Sequence, residues 1–590
     1  MSALVNALDK HTPIQIGENG HQEYGWSNDV REKIVQLSFQ LTRTPDVSGV
    51  EAQLRSILTT LTRPSTIVAE AVCKELLITL YKMIGHTRDI IDGKGECTLT
   101  YMMIYTWYDF YPKLAMYALL ACVLSEDDET SKKEHPYGSW KDIKYFCNFC
   151  RTRGWSVDHP MIVYAVELIN TQLNVDKVSY QDQQFGSISL LCKWIARETS
   201  GKFGWLYTSL ATMHFKHYLE TAKNPDSMRK AVNKAKMDYR KLVASINRAI
   251  DTIQIKQCAG EWSSINFDRT TSVTFAKQKK AFLNVKKDGS QRSEREDRVQ
   301  CATNFKEHIA KAVRGEKEVK GKRVGLNTFT EEALSLLSQS RDEKTQNETI
   351  NESTQMEIDL LNSQWRDNSS QNGSLENFVA MVDTSGSMSG DPLHAAIALG
   401  YRVAEKSTIG KRVMTFSASP TWVNLDGCND FVSAVDEIRK ANWGMNTSFH
   451  AALDLILDAC VQQKLEPEVV AKMVLAIFSD MQIDEARGGH IGSLYEVMEQ
   501  KYADAGIRAV GKPYTPPHIL FWNLRSTNGF PTMSTQKNVS MMSGFSPVLL
   551  NLFCEKGMDA FLSCTPWSIL VESLNNPRYL RLEHEAVQII

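Results

Sequence analysis

No run of 18 or more apolar residues occurs in this sequence, which excludes a membrane-crossing helix. The opening stretch, MSALVNALDKHTPIQIGENG, has neither the basic region nor the apolar core of a secretory leader. The 12 cysteines follow no repeating spacing; without a leader they read as reduced thiols, and the expected location is cytoplasmic. One C-x-x-C is present, Cys147-Asn148-Phe149-Cys150, and no second pair completes a zinc knuckle. Two buried thiols on one helix face are expected there. Catalytic signatures are missing too: there is no G-x-S-x-G elbow, Walker A loop, H-E-x-x-H helix or Rossmann glycine fingerprint. Ser385 and Ser387 have no histidine placed by sequence to activate them, and His394 reads as an ordinary surface or core residue. An enzyme reading would need a metal-activated water beside Asp480 or Asp484 as general base. A hydroxyl-rich site leaves a cation electrophilic without supplying a strong base. The expectation is not an enzyme.

Net charge is low as well, −2 over 590 residues, with 43% hydrophobic and 23% charged residues. Those values suit a globular chain of roughly two to four domains. The charge is unevenly spread: Lys202 to Arg323 holds 27 basic against 13 acidic residues, a net of +14. Such a block is either an electrostatic footprint for nucleic acid or a set of solvated helix faces with a basic loop. Within it, Arg229, Lys230, Lys234, Lys236, Arg240, Lys241 and Arg248 are the candidate RNA contacts. Lys234, Lys241 and Arg248 are spaced to share one helical face.

Along the chain, an N-terminal arm (1–25) precedes a long region of helical periodicity, 26–337. Val30 to Leu41, Val50 to Leu61, Thr66 to Ile84, Leu99 to Leu124 and Met161 to Leu173 carry apolar residues three and four apart. Such faces bury against successive neighbours in an irregular stack or solenoid, although no clean repeat period shows. The charged segment 284–326 reads as a solvated helix plus a basic loop. Residues 338–375, rich in Ser, Asn, Gln and acid, read as a polar linker with an anchoring helix around Leu360, Leu361 and Trp365. From 376 to 590 the pattern changes to alternating strands and helices. Phe378 to Val382, Lys411 to Ser417, Lys472 to Ser479 and His518 to Leu524 read as buried strands. Pro392 to Ser407, Ser448 to Gln462 and Ser493 to Gly506 read as the helices between them, which predicts a parallel sheet covered on both faces. Ser568 to Ile590 is expected to close this domain.

Ligands in such sheets bind at the carboxyl ends of strands. Asp383-Thr384-Ser385-Gly386-Ser387-Met388 lies at the end of the first strand, and Asp480 ends another. A carboxylate with two hydroxyls at alternate positions suits Mg²⁺, or Mn²⁺ or Ca²⁺, which take oxygen ligands. The same residues could also form a turn that caps the next helix. Thr447 sits in the loop Gly444-Met445-Asn446-Thr447 before another helix.

From about 376 to 565 the combination resembles the metal-ion-dependent adhesion site of von Willebrand factor A domains. That resemblance implies that Ser385, Ser387 and Thr447 offer hydroxyls to the metal while Asp383 and Asp480 stand close to it, often through water. It also implies a protein ligand that presents a carboxylate to the metal. Two earlier stretches, Arg88-Asp89-Ile90-Ile91-Asp92-Gly93-Lys94-Gly95-Glu96 and Tyr137-Gly138-Ser139-Trp140-Lys141-Asp142-Ile143, resemble the helical half of the Ro ribonucleoprotein autoantigen, the TROVE module. The whole chain is more similar to a related family of uncharacterised cytosolic and viral proteins with the same two-part plan. Lys193-Trp194-Ile195, Tyr239-Arg240-Lys241-Leu242, Gly260-Glu261-Trp262, Ser479-Asp480-Met481, Phe521-Trp522-Asn523-Leu524 and Ser543-Gly544-Phe545 carry that similarity.

From the residues alone, the tryptophans in these motifs are expected to pack. The Arg88 to Glu96 turn is expected to be an ion-paired joint between helices. The fold implied is α plus α/β: a HEAT-like helical solenoid or ring, then a doubly wound, mostly parallel-sheet A domain. The function implied is a non-enzymatic, Ro-like RNA-binding scaffold whose metal site binds a protein. The alternative is a protein-only or particle-associated scaffold without RNA.

Overall fold

The computed structural model describes residues 12–17, 20, 22–63, 70–125, 134–286, 288–347, 350–416, 419–441, 449–482, 494–554 and 558–590. The described part of the N-terminal arm forms a small antiparallel strand pair, β1 (Ile14–Ile16) and β2 (Gln22–Tyr24). Tyr24 exchanges backbone hydrogen bonds with Phe530, which fastens the arm to the C-terminal half. Helices then dominate as far as residue 369. Helix α1 (Val30–Gln40) starts where the Asp29 carboxylate accepts from the Glu32 N–H, relieving one of the donors every helix start leaves unpaired. Helices α2 (Glu70–Arg88), α3 (Cys97–Tyr108) and α4 (Lys141–Thr152) follow. Helix α5 (Pro225–Ala249) opens on a capping box between Asn224 and Ser227, with Pro225 in its first turn. Its buried residues, Ala235, Tyr239 and Ile246, form one stripe and leave the basic remainder outside.

The expected polar linker is not a linker. Helices α6 (Leu326–Asn347) and α7 (Glu352–Ser369) occupy most of it and pack on the C-terminal half. Buried polar groups hold them: Asn368 Nδ2 donates to the Gly321 carbonyl (3.1 Å), and Arg402 Nη2 donates to Asn368 Oδ1 (2.8 Å). Composition hid this because those side chains are satisfied by hydrogen bonds and need no apolar partner. The charged segment before it is likewise more than a solvated helix. The helix Glu296–Val313 buries Cys301, Phe305 and Ile309 against Phe267, Phe275 and Phe282.

The C-terminal half is a six-stranded, mostly parallel sheet of β3 (Phe378–Asp383), β4 (Arg412–Phe416), β5 (Thr421–Asn424), β6 (Val474–Ser479), β7 (His518–Asn523) and β8 (Val539–Ser543). Its order is β5-β4-β3-β6-β7-β8, with β5 alone antiparallel. Side chains alternate across it. Val379 and Met381 share a core with helices α9 (Phe449–Gln462) and α10 (Leu494–Val510), while Ala380 and Val382 face α8 (Asp391–Lys406) together with α6 and α7. The first of these cores continues into the helical half, so the two halves share packing.

The last segment packs on the sheet, with Ile569 in its core, and also reaches the helical half. Helices α11 (Pro566–Leu574) and α12 (Leu580–Ile589) pack on α2 of the helical half. Lys82 pairs with Glu583 at 2.6 Å, and Arg578 with Asp89 at 2.7 Å.

Candidate functional site

Parallel pairing sets Val382 beside Phe478, so the chain leaves β3 and β6 side by side at one edge of the sheet. Asp383 and Ser479 meet there: the Ser479 hydroxyl donates to Asp383 Oδ2 (2.6 Å) and the Ser385 N–H donates to Oδ1 (2.9 Å). The Ser385 and Ser387 hydroxyls lie 3.1 Å apart. Asp480 Oδ1 accepts from the Gln482 N–H (3.2 Å), while its Oδ2 is buried without a hydrogen-bond donor. Next to Asp480 the chain turns through Met481 at φ 63°, a left-handed conformation that a side-chain-bearing residue adopts at a cost.

Both carboxylates are 0% exposed. Burial, then the nearby charge of Asp480, pushes the Asp383 carboxyl up to about 7, and burial also raises Asp480. Two desolvated carboxylates side by side repel each other until a cation arrives. The cation at hand is Arg525, with Nη1 3.8 Å from Asp480 Oδ2 and donating to the Ser387 carbonyl (2.8 Å). Beyond it a cleft opens between the halves, bounded by Arg43, Ser387, Ser389, Asp391, Arg525 and Phe545. Among the described residues no three side chains of His, Cys, Asp or Glu gather as a metal-holding group. The oxygens collected here are two carboxylates and the hydroxyls of Ser385, Ser387 and Ser479, and an Asp480 oxygen that accepts no hydrogen bond fits a hard divalent cation. Thr447 and Asp484 lie outside the described residues. Sequence reasoning gave no role to Ser479 and Arg525. The register beside Asp383 is the signal for Ser479; Arg525 has none, because its reach depends on the loop after β7.

All seven basic candidates sit on α5. At about 100° per residue they split into two stripes. Arg229, Lys236 and Arg240 form one, and each already has an acidic partner: Arg229 pairs with Asp226, and Lys236 and Arg240 share Glu198, each at 3.3 Å. Lys230, Lys234, Lys241 and Arg248 form the other, exposed and without ion pairs among the described residues. Lys234 Nζ stands 4.2 Å from the centre of the Tyr218 ring.

The remaining motifs are structural. Cys147 and Cys150 are both buried on α4, where burial raises both thiols, Cys147 to about 12. Trp140 and Trp522 are buried, while Trp194 and Trp262 are half-buried under Lys144, Lys193 and Arg298. The Arg88 to Glu96 turn is an ion-paired joint. Arg88 pairs with Asp142 (2.7 Å), Asp89 with Arg578, and Glu96 with Arg43 (2.8 Å).

Two family models match the chain, each described as a domain of unknown function: DUF2828 over residues 158–371 and DUF7788 over 377–563. The gap between them falls just before β3, where the sheet begins. The uncharacterized protein L728 of Acanthamoeba polyphaga mimivirus is 28% identical over 525 residues, covering 85% of this chain and 81% of the relative. A match of that extent takes in parts of both halves. Among the described residues no helix is long and apolar enough to cross a membrane.

Proposed function

We propose that this protein is a non-enzymatic, cytoplasmic RNA-binding scaffold of the Ro-like plan. Its HEAT-like helical half holds RNA, and its von Willebrand A-like half binds a protein through a metal-ion-dependent adhesion site. The RNA reading is carried by the second stripe of α5, where Lys230, Lys234, Lys241 and Arg248 are exposed cations without ion pairs among the described residues. Phosphates supply the missing counter-charge, and their neutralisation makes affinity fall with salt. The metal reading is supported by the buried Asp480 Oδ2, which accepts no hydrogen bond and faces the Arg525 guanidinium at 3.8 Å, beside Asp383, Ser385 and Ser387. Those residues, with Thr447, would hold Mg²⁺, Mn²⁺ or Ca²⁺, and the bound cation would supply a vacant position for a partner's carboxylate.

Filter binding of a structured and an unstructured RNA across a salt series tests the RNA half. Charge reversal at Lys234, Lys241 and Arg248 should lower the affinity and flatten the salt slope, by about 0.7 for each single-strand phosphate that is no longer neutralised. Asp383→Ala should change neither. A protein-only scaffold is the second reading, favoured by the pairing of Arg229, Lys236 and Arg240 with Asp226 and Glu198. A parent protein that binds no RNA at low salt would establish it.

A further inference from the structure

We infer that α4 and the 193–203 segment form a base-stacking site for single-stranded RNA, separate from the phosphate-tracking stripe of α5. The inference rests on the RNA reading above and adds the strand state and the part of the nucleotide recognised. Tyr145 on α4 is 37% exposed, and its ring lies 5.0 Å from Phe203 between centroids. Trp194 is half-buried beside them. Lysines interleave these rings. Lys144 Nζ is 5.2 Å from both Trp194 and Phe203, Lys193 Nζ is 5.5 Å from Trp194, and Lys202 Nζ is 5.2 Å from Tyr145.

Counter-charge is what this surface lacks. Lys141, Lys144, Lys193, Arg197 and Lys202 take part in no ion pair among the described residues, and the adjoining acid, Glu198, is engaged by Lys236 and Arg240. Lys144 is pushed down to about 8 by burial and by the charges of Arg197 and Lys141, as expected for cations crowded together without an anion. A free anion would satisfy the lysines but gain nothing from the rings that those lysines now face, since an aromatic face repels negative charge. A nucleotide satisfies both, with phosphate on the ammonium groups and base on the ring. A duplex keeps its base faces closed in the stack, so the ligand that fits is a single strand.

Fluorescence anisotropy with a labelled uridine strand of about 12 nucleotides, a duplex of equal length and an abasic strand tests the site. Tyr145→Ala should weaken the uridine strand about fivefold or more and leave its salt slope unchanged. It should not affect the abasic strand. Tyr145→Phe should bind as the parent does. Arg197→Glu combined with Lys202→Glu should lower affinity and slope together on both strands. Circular dichroism of each variant guards against misfolding. If the parent binds RNA but Tyr145→Ala binds the uridine strand equally well, or loses as much on the abasic strand, this site is wrong and the α5 reading stands. If the parent binds no strand at low salt, both fail.

Discussion

At the scale of single residues, the candidate metal site is defined by a burial that two carboxylates tolerate poorly alone. Asp383→Ala should abolish divalent binding in a calorimetric titration with Mg²⁺ or Mn²⁺, while Ser385→Ala and Thr447→Ala should weaken it. Unchanged affinity in the Asp383 variant would reduce the motif to a helix-capping turn. Arg525 sharpens the test, because its guanidinium stands beside Asp480 and repels an entering dication. Arg525→Gln should therefore tighten the metal several-fold, and an equal or weaker affinity would count against the site. A different residue governs acid stability. His86 is buried, and burial, with the nearby Lys94 charge, pushes its imidazole from the ordinary 6.5 down to about 3. As pH falls through 6.5 the unfolded chain takes up a proton that the folded chain refuses until about pH 3. The contribution of His86 to stability is thus complete above 6.5 and is lost progressively toward 3. Thermal melts at pH 7 and pH 5 should show a smaller loss in His86→Gln than in the parent; an equal loss would refute the shift.

At the scale of elements, legibility followed the type of partner each residue finds. Strands β3, β6 and β7 are buried along their whole length, and with β4 they read directly as apolar runs. Strand β8 (VSMMS) is buried throughout but carries two serines, and β5 (TWVN) is a largely exposed edge, so neither announced itself. The helices α6 and α7 were hidden more deeply, since Gln364 and Asn368 are buried through hydrogen bonds to the backbone around Lys320 and Gly321. Gly321 tests that contact. A Cβ added there would meet the Gln364 carbonyl oxygen at 1.8 Å, a backbone atom that moves only if α7 moves. Gly321→Ala should cost about 2 kcal/mol or more, visible as a lower midpoint in urea unfolding. A parent-like midpoint would mean that α7 is not seated as described.

At the scale of the molecule, the two halves meet through polar contacts between residues hundreds of positions apart, which no local pattern encodes. Lys94 Nζ donates to the Ser38 (2.8 Å) and Leu41 (3.0 Å) carbonyls and to the Ser543 hydroxyl (2.5 Å). Asn523 Nδ2 donates to the Phe39 carbonyl (2.9 Å), and Glu32 accepts from Ser534. Motifs scattered from Arg88 to Ser543 thus converge on one joint between the helical half and the edge of the sheet near Asp383. Asp89 carries the far side of that joint. It is 0% exposed and receives two hydrogen bonds from Arg578, at 2.7 and 2.8 Å, which hold the C-terminal helices against α2. Arg578→Ala leaves a buried carboxylate without its cation, a loss of about 3–5 kcal/mol in comparable sites. Asp89→Asn with Arg578→Ala removes both charges and should recover part of that loss. Because one apolar core runs through both halves, the parent should melt in a single calorimetric transition. In Arg578→Ala the C-terminal helices should loosen first, seen as faster amide exchange over Pro566–Ile589 and α2 at temperatures where the sheet is still protected. Equal exchange in parent and variant would show that the joint does not hold the halves together.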